Sequence, residues 1–246
     1  MPDERWIIPH WPAPSTVRAC TTTRLGGVSQ GAYASLNLAV HVGDDPVAVR
    51  ENRQRITRAL GLPQSPRWLT QTHSTNAARA DGLTPDACEA DASFTRQAGV
   101  VCGVLTADCL PVLFCDRAGT TVAAVHAGWR GLLHGVLENS VASMGLPGQE
   151  LLAWLGPAIG PDAFEVGPEV RTAFVAHDPG AAAAFRPGVA ERWYADIFAL
   201  ARLRLAQLGV TGVYGGGLCT YHDAQRFYSY RREQVTGRMA SLIWLG

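Results

Sequence analysis

Three side chains in this sequence have the chemistry to share one metal ion: His73 in Gln71-Thr72-His73-Ser74, Cys109 in Ala107-Asp108-Cys109, and His126 ahead of Ala127-Gly128. Imidazole nitrogen and thiolate sulfur suit zinc, and three protein ligands leave a fourth tetrahedral position where water becomes a usable nucleophile near neutral pH. Local pairing argues for Cys109 with His126. Asp116-Arg117-Ala118-Gly119 reads as a hairpin loop between Val112-Leu113-Phe114-Cys115 and the strand running from Thr120 to Val125. If Cys115 faces Thr120, the same register sets Cys109 directly opposite His126, with Cβ atoms about 4.5–5.5 Å apart. Pro111 removes a ladder donor between them, and a one-residue slip would turn Cys109 to the other face. The three residues are too widely spaced to form a metal motif by themselves, and a core cysteine beside hydrogen-bonded histidines fits the same pattern.

Other chemistry competes for these residues. Cys109 activated by His126 would be a metal-free nucleophile of the amidase kind. A structural metal would need a fourth ligand, for which Cys219, His41 and His222 are available. A multicopper oxidase needs many histidines in paired motifs, and the 7 present are not paired in that way. After His126, the turn Ala127-Gly128-Trp129-Arg130-Gly131 opens a helix whose free amides would suit an anion, and Arg130 could add a guanidinium fork.

The elements that must hold these residues follow from pattern. Trp6 to Pro9 and Val17 to Thr23 read as short strands, followed by a glycine-rich loop from Arg24 to Asn37. Asp44-Asp45-Pro46 starts a helix whose apolar face, Val49, Ile56 and Leu60, runs to Gly61. Short apolar runs between Pro66 and Ser74 and from Gly99 through His126 predict buried strands. A second helix is expected over Trp129 to Met144 and a third over Glu191 to Leu208, with closing strands at Val210 to Tyr214 and Ser241 to Leu245. His177 to Gly188, with Pro179, Gly180 and four alanines, reads as an excursion. Residues 1–246 are expected to form a single catalytic domain.

Composition narrows the function classes. Lysine plus arginine equals aspartate plus glutamate at 21 each, so no global field recruits nucleic acid or an acidic membrane. No apolar run approaches the roughly 18 residues of a membrane-spanning helix. The start, Met1-Pro2-Asp3-Glu4-Arg5, lacks the form of a secretory signal, and six cysteines without a C-x-x-C pair suit a reducing compartment. The expectation is a cytoplasmic protein, and a monomer, since no surplus amphipathic element is visible.

Four segments, TTRLGGVSQGAYASLN, HVGDDPVAVRENR, TADCLPVLFCD and HAGWRGL, together resemble the peptidoglycan editing factor family, also called the laccase-domain or polyphenol oxidase family. QTH at 71–73, LGPAIGP at 155–161, FEVGPEV, CT at 219–220, FYSYRRE and TGR extend the resemblance over nearly the whole chain. It implies an α+β fold of layered mixed β-sheets flanked by helices, similar to the deamidating cysteine toxins. It also implies zinc held by His73, Cys109 and His126, and phosphorolysis of purine nucleosides (adenosine, inosine, methylthioadenosine) with phosphate as co-substrate. Adenosine deamination and, in some bacteria, correction of cell-wall precursors are implied as well. Deamination would need a carboxyl to shuttle protons, for which Asp91 is preferred over Asp108, because a strand neighbour of Cys109 points away from it. Arg24, Arg53, Arg130 and Asn37 lie in matching segments, and Asn37, Arg53 and Arg130 are the candidates for nucleoside and phosphate binding.

Overall fold

The computed structural model describes residues 4–82 and 88–246. Residues 1–3, part of the segment read above for a secretory signal, lie outside them. In chain order the elements begin with β1 (Trp6–Ile7), β2 (Val17–Thr22) and α1 (Pro46–Ala59). Five strands follow: β3 (Ala77–Arg79), β4 (Ala92–Thr95), β5 (Val101–Thr106), β6 (Leu110–Asp116) and β7 (Val122–Ala127). Helices α2 (Trp129–His134) and α3 (Val136–Met144) lead to β8 (Leu151–Leu155), β9 (Glu165–Val166) and α4 (Pro168–His177). The chain continues through β10 (Phe185–Pro187), β11 (Trp193–Ala195), α5 (Ile197–Gln207), β12 (Gly212–Gly215), α6 (Tyr230–Glu233) and β13 (Met239–Leu245).

The strands form a mixed six-stranded sheet, β12-β8-β6-β7-β4-β3, a four-stranded sheet, β1-β2-β13-β5, and a small sheet, β10-β11-β9. Side-chain alternation along the central strands explains the layering, because successive residues face opposite sides of a sheet. Val112, Phe114, Val125 and Ala153 pack with Leu132, Leu137 and Leu205 of the helical layer. Their neighbours Leu113, Cys115, Ala124 and Trp154 face the other way, against Val104 and Ile243 of the four-stranded sheet. The far side of that sheet, at Val101, Leu242 and Trp244, is covered by Ile56 of α1. Two-sided burial is why these strands are almost continuously apolar.

Several elements differ from the expectation. The helix predicted from Trp129 to Met144 is two helices, because Gly135 at φ 99° ends one and opens the next. The helix predicted from Glu191 begins only at Ile197, where the Asp196 side chain accepts from the Ala199 amide, and Trp193 to Ala195 are a strand. The Pro66 to Ser74 segment makes two isolated bridges, Arg67 with Cys102 and Thr70 with Glu89. Within the alanine-rich excursion, Pro179–Ala184 is a short 3-10 turn and Phe185–Pro187 a strand.

The central hairpin carries the correction that matters most for the site. Cys115 pairs with Val122 and Pro111 with His126, two residues away from the predicted register. The four-residue loop begins one position later than expected. Asp116 pairs with Thr121 through its amide at 3.0 Å, and its carboxylate accepts from the Thr120 and Thr121 amides at 2.7 and 2.9 Å. One step beyond the Leu110–Ala127 pair, Cys109 therefore lies across from Gly128. A shift of two residues preserves the face, so Cys109 stands diagonal to His126 on the same side.

Candidate metal centre

His126 sits at the end of β7 on the face shared with Val122 and Ala124, and only 4% of it is exposed. Across from it, one residue before the Ala92–Val125 pair, is Asp91. The two are joined twice: the His126 amide donates to the Asp91 carbonyl at 2.7 Å, and the His126 Nδ1 lies 2.7 Å from Asp91 Oδ1. A carboxylate on Nδ1 fixes the ring and leaves Nε2 as the nitrogen free to ligate a metal.

Asp91 also shapes the loop that carries His73. Its Oδ1 accepts from the His73 amide at 3.0 Å, and its Oδ2 accepts from the Thr72 amide at 3.2 Å, the Ser74 amide at 2.6 Å and the Ser74 hydroxyl at 2.8 Å. These bonds hold His73 at φ 59°, a left-handed conformation that few non-glycine residues adopt. Gln71 clamps the same loop to β5, donating to the Leu105 carbonyl at 2.9 Å and accepting from its amide at 2.8 Å. One buried carboxylate thus positions both histidines.

The ligand atoms of His73, Cys109 and His126 lie within 4.8 Å of one another. His73 Nε2 is 3.7 Å from Cys109 Sγ, close to the roughly 3.6 Å edge of a tetrahedral zinc site with one nitrogen and one sulfur ligand. Gly128 leaves room for them: a Cβ there would fall 2.8 Å from His73 Cδ2 and 3.0 Å from Cys109 Sγ. Among the described residues no fourth histidine, cysteine or carboxylate joins the set, so Cys219, His41 and His222 do not close it. Three ligands around open space fit a metal with a free coordination position.

Without an ion, the three residues perturb one another. Burial works to raise the Cys109 thiol, but His126 and then His73 outweigh it and bring it down to about 6. Burial works to lower His126, yet the Cys109 charge and the Asp91 bond take it up to about 9. The Asp91 carboxyl, which burial alone would raise, is held below its ordinary value by His126 and Ser74. The thiolate is already in its ligating form, and the imidazolium becomes a ligand by releasing its proton, so metal binding would be accompanied by proton release.

The set opens into a cavity of about 550 Å³ whose wall includes His41, Asp108, Trp129, Arg130, Tyr230, Arg231 and Arg238. Asp108 ties that wall to the metal strand. At φ 88° it accepts from the Thr220 hydroxyl at 2.6 Å, the Ser229 hydroxyl at 3.0 Å and the Arg231 amide at 2.7 Å. Arg231 Nη1 is anchored on the Glu165 carbonyl at 2.9 Å, and Arg238 Nη1 on the Thr236 carbonyl at 2.8 Å. Arg130 is exposed at the rim and lies over the Trp129 ring.

Of the residues singled out in the sequence, His41, His73, Asp108, Cys109, His126 and Arg130 meet at the cavity, whereas Asn37, Arg53 and Asp91 are absent from its wall. Asn37 is fully buried, donating to the Ala39 carbonyl and Asp44 and accepting from the Ala39 and Arg238 amides. Arg53 donates to the Leu38 carbonyl at 2.9 Å and stacks over Trp68. Arg24 likewise holds the glycine-rich loop, through the Ala34 carbonyl and Glu233. Arg231 and Arg238 were overlooked as site residues although they stand in FYSYRRE and TGR; a motif 100 residues from the ligands offers no sign that it folds over them.

Fold and site together define a class: mixed α+β proteins of several sheets and helices, with a His/Cys/His cluster lining one cavity. A family model described as multi-copper polyphenol oxidoreductase laccase matches residues 18–246, and the chain belongs to that family. A protein of Pseudomonas aeruginosa named purine nucleoside phosphorylase is 59% identical over 241 residues, covering 98% of each chain. An Escherichia coli protein named purine nucleoside phosphorylase is 54% identical, covering 97% of this chain and 98% of its own. Among solved structures, a Neisseria meningitidis protein superposes with a TM-score of 0.95 at 54% identity, over 98% of this chain and 99% of that one. YlmD from Geobacillus stearothermophilus follows the same fold, with a TM-score of 0.89 at 28% identity over 98% and 96% of the two chains.

Proposed function

We propose that the chain is a zinc-dependent purine nucleoside phosphorylase of the cytoplasm, acting on adenosine, inosine and methylthioadenosine, with adenosine deamination as a second activity. The observation that carries this reading is the convergence of His73, Cys109 and His126 with Arg130, Arg231 and Arg238 on one cavity. Its volume of about 550 Å³ lies within the usual range for small-molecule sites, about 300–1,000 Å³. Relatives named purine nucleoside phosphorylase support the same substrate class. When bound, zinc supplies a Lewis acid that polarises oxygen ligands and lowers the pKa of water.

The protein groups have separate tasks. Phosphorolysis builds positive charge on the ribose as the base departs, so phosphate must be held beside the sugar. Guanidinium groups match phosphate geometry, and three of them stand on this wall. Trp129, Ile159, Phe164 and Ile197 offer the apolar surface on which a purine can lie. Asp91 acts as a positioning residue for both histidines and not as a proton carrier, since both its oxygens already accept from donors around it. Asn37 and Arg53 support the loop behind the wall.

The test incubates metal-checked protein with adenosine and phosphate, following inosine, adenine and hypoxanthine by chromatography, with Cys109→Ala as control. Adenine that requires phosphate and disappears in the variant is the expected result for phosphorolysis, and inosine formed without phosphate is expected for deamination. Absence of all three products from metal-replete protein would sink the purine reading.

A second reading has one specific observation in its favour. Asp91, His126 and Cys109 follow one another in the order of a cysteine hydrolase triad, with the carboxylate on the far nitrogen of the imidazole. Under that reading the chain is a cell-wall precursor editing hydrolase with Cys109 as nucleophile. Amide hydrolysis that survives chelation and is abolished by thiol alkylation would favour it over the zinc reading.

A further inference from the structure

We infer that His41 is a catalytic residue that delivers a proton to the departing purine, an inference that rests on the phosphorolysis proposed above. Few groups on the cavity wall can carry a proton. His73, Cys109 and His126 are committed to the metal set. Asp108 is occupied by Thr220, Ser229 and Arg231. Guanidinium groups do not give up protons in proteins, which removes Arg130, Arg231 and Arg238. His41 and the Tyr230 phenol are the remaining proton carriers on the wall.

His41 stands in the loop that precedes α1, at the cavity wall and exposed to solvent. Burial first, then the charges of Arg238 from the segment entering β13 and Arg53 from α1, lower its pKa, so the ring is neutral at physiological pH. Neutral imidazole carries one donor and one acceptor at once. Arg238 belongs to the arginine wall and its charge reaches His41, so the imidazole stands near the charge that would hold phosphate.

The proton balance of the reaction uses both nitrogens. The glycosidic C–N bond breaks with its electron pair passing to the purine, while a phosphate oxygen forms the new C–O bond to the sugar. The hydrogen phosphate ion ends with one proton fewer and the free purine with one more. His41 gives the N–H proton of one nitrogen to the ring nitrogen of the purine while its other nitrogen takes one from the hydrogen phosphate ion, directly or through water, so the ring stays neutral throughout. No external acid or base is consumed.

The experiment compares wild type, His41→Gln and Tyr230→Phe on inosine and on 7-methylinosine, each with phosphate. The methylated base already carries its positive charge and leaves without being protonated. For His41→Gln, kcat on inosine is expected to fall about 100-fold, the usual worth of general acid catalysis. Its kcat on 7-methylinosine should stay within about threefold of wild type, with bound metal and the KM for phosphate unchanged. An equal loss on both substrates would assign His41 a merely structural role, and an unchanged kcat on both would also overturn the inference. A selective loss in Tyr230→Phe with His41→Gln intact would transfer the proton to Tyr230. If wild type itself fails to cleave inosine with phosphate, the phosphorylase reading falls and takes the role of His41 with it.

Discussion

Asp91 and His126 are joined by two bonds of 2.7 Å, one through the backbone and one between carboxylate and imidazole, and the same carboxylate holds the loop of His73. The geometry of the candidate metal set therefore depends on a residue outside the set. Asp91→Asn keeps the volume but lacks the charge and one of the acceptor oxygens. Zinc affinity is expected to fall about 10–100-fold, the range seen when such outer partners are lost. Competition with a chromophoric chelator measures it, and an unchanged affinity would show that His126 is oriented by packing alone.

Chelated protein should expose a reactive thiol. With Cys109 brought down to about 6, the thiolate fraction is nearly complete above about pH 7 and falls as pH drops through 6. Alkylation by iodoacetamide is thus expected to be fast and flat from neutral pH upward, and slow in acid. Cys102 and Cys115, pushed up to about 12 by burial, should not contribute in the folded protein. Zinc-loaded protein should resist the reagent, and the fast phase should vanish in Cys109→Ala. A rate that keeps climbing through pH 9 would mean that His126 does not stabilise the thiolate.

Gly128→Ala separates site from scaffold. The backbone at Gly128, φ −64° and ψ 159°, accepts alanine, yet the added methyl would press on His73 and Cys109. Metal affinity should drop at least about tenfold while Tm moves by only a few degrees, a shift that corresponds to roughly 1 kcal/mol at most. Metal content by elemental analysis and a thermal melt decide the matter together; full metal occupancy would contradict the crowding argument.

Two arginines from matching motifs should behave oppositely. Arg130→Ala, on the cavity rim, is expected to raise the KM for phosphate about tenfold without changing Tm, as loss of one charge-assisted contact would. Arg53→Ala, which breaks the bond to Leu38 and the stack on Trp68, should instead cost roughly 1–2 kcal/mol of stability and leave that KM nearly unaltered. Steady-state kinetics with varied phosphate, paired with denaturant melts, distinguish the two; a reversed pattern would place the anion elsewhere.

Much of the fold was legible because it follows local rules. Asp45 caps α1 and Pro46 opens it, as the sequence pattern requires, and the apolar runs around Val104, Leu113 and Ala124 became buried strands. Register was harder. The choice between two four-residue loops one position apart depends on which turn satisfies the Asp116 carboxylate, and that is settled by three-dimensional hydrogen bonding. The misplaced pairing still kept Cys109 and His126 on one face, since it was wrong by an even number of residues.

The sequence supplied a thiol and two imidazoles at 73, 109 and 126 as candidate ligands, joined into one set by the family resemblance, and its balance of 21 against 21 offered no global field to recruit a polyanion. Tertiary structure alone decided which of the remaining polar groups serve the cavity. Asn37, Arg53 and Asp91 were drawn into backbone bonds behind it, whereas His41, Arg231 and Arg238 were brought to its wall from both ends of the chain. The reason is physical: a buried polar group must spend its hydrogen bonds on the nearest donor or acceptor, and only packing determines whether that neighbour is a loop or an open cavity.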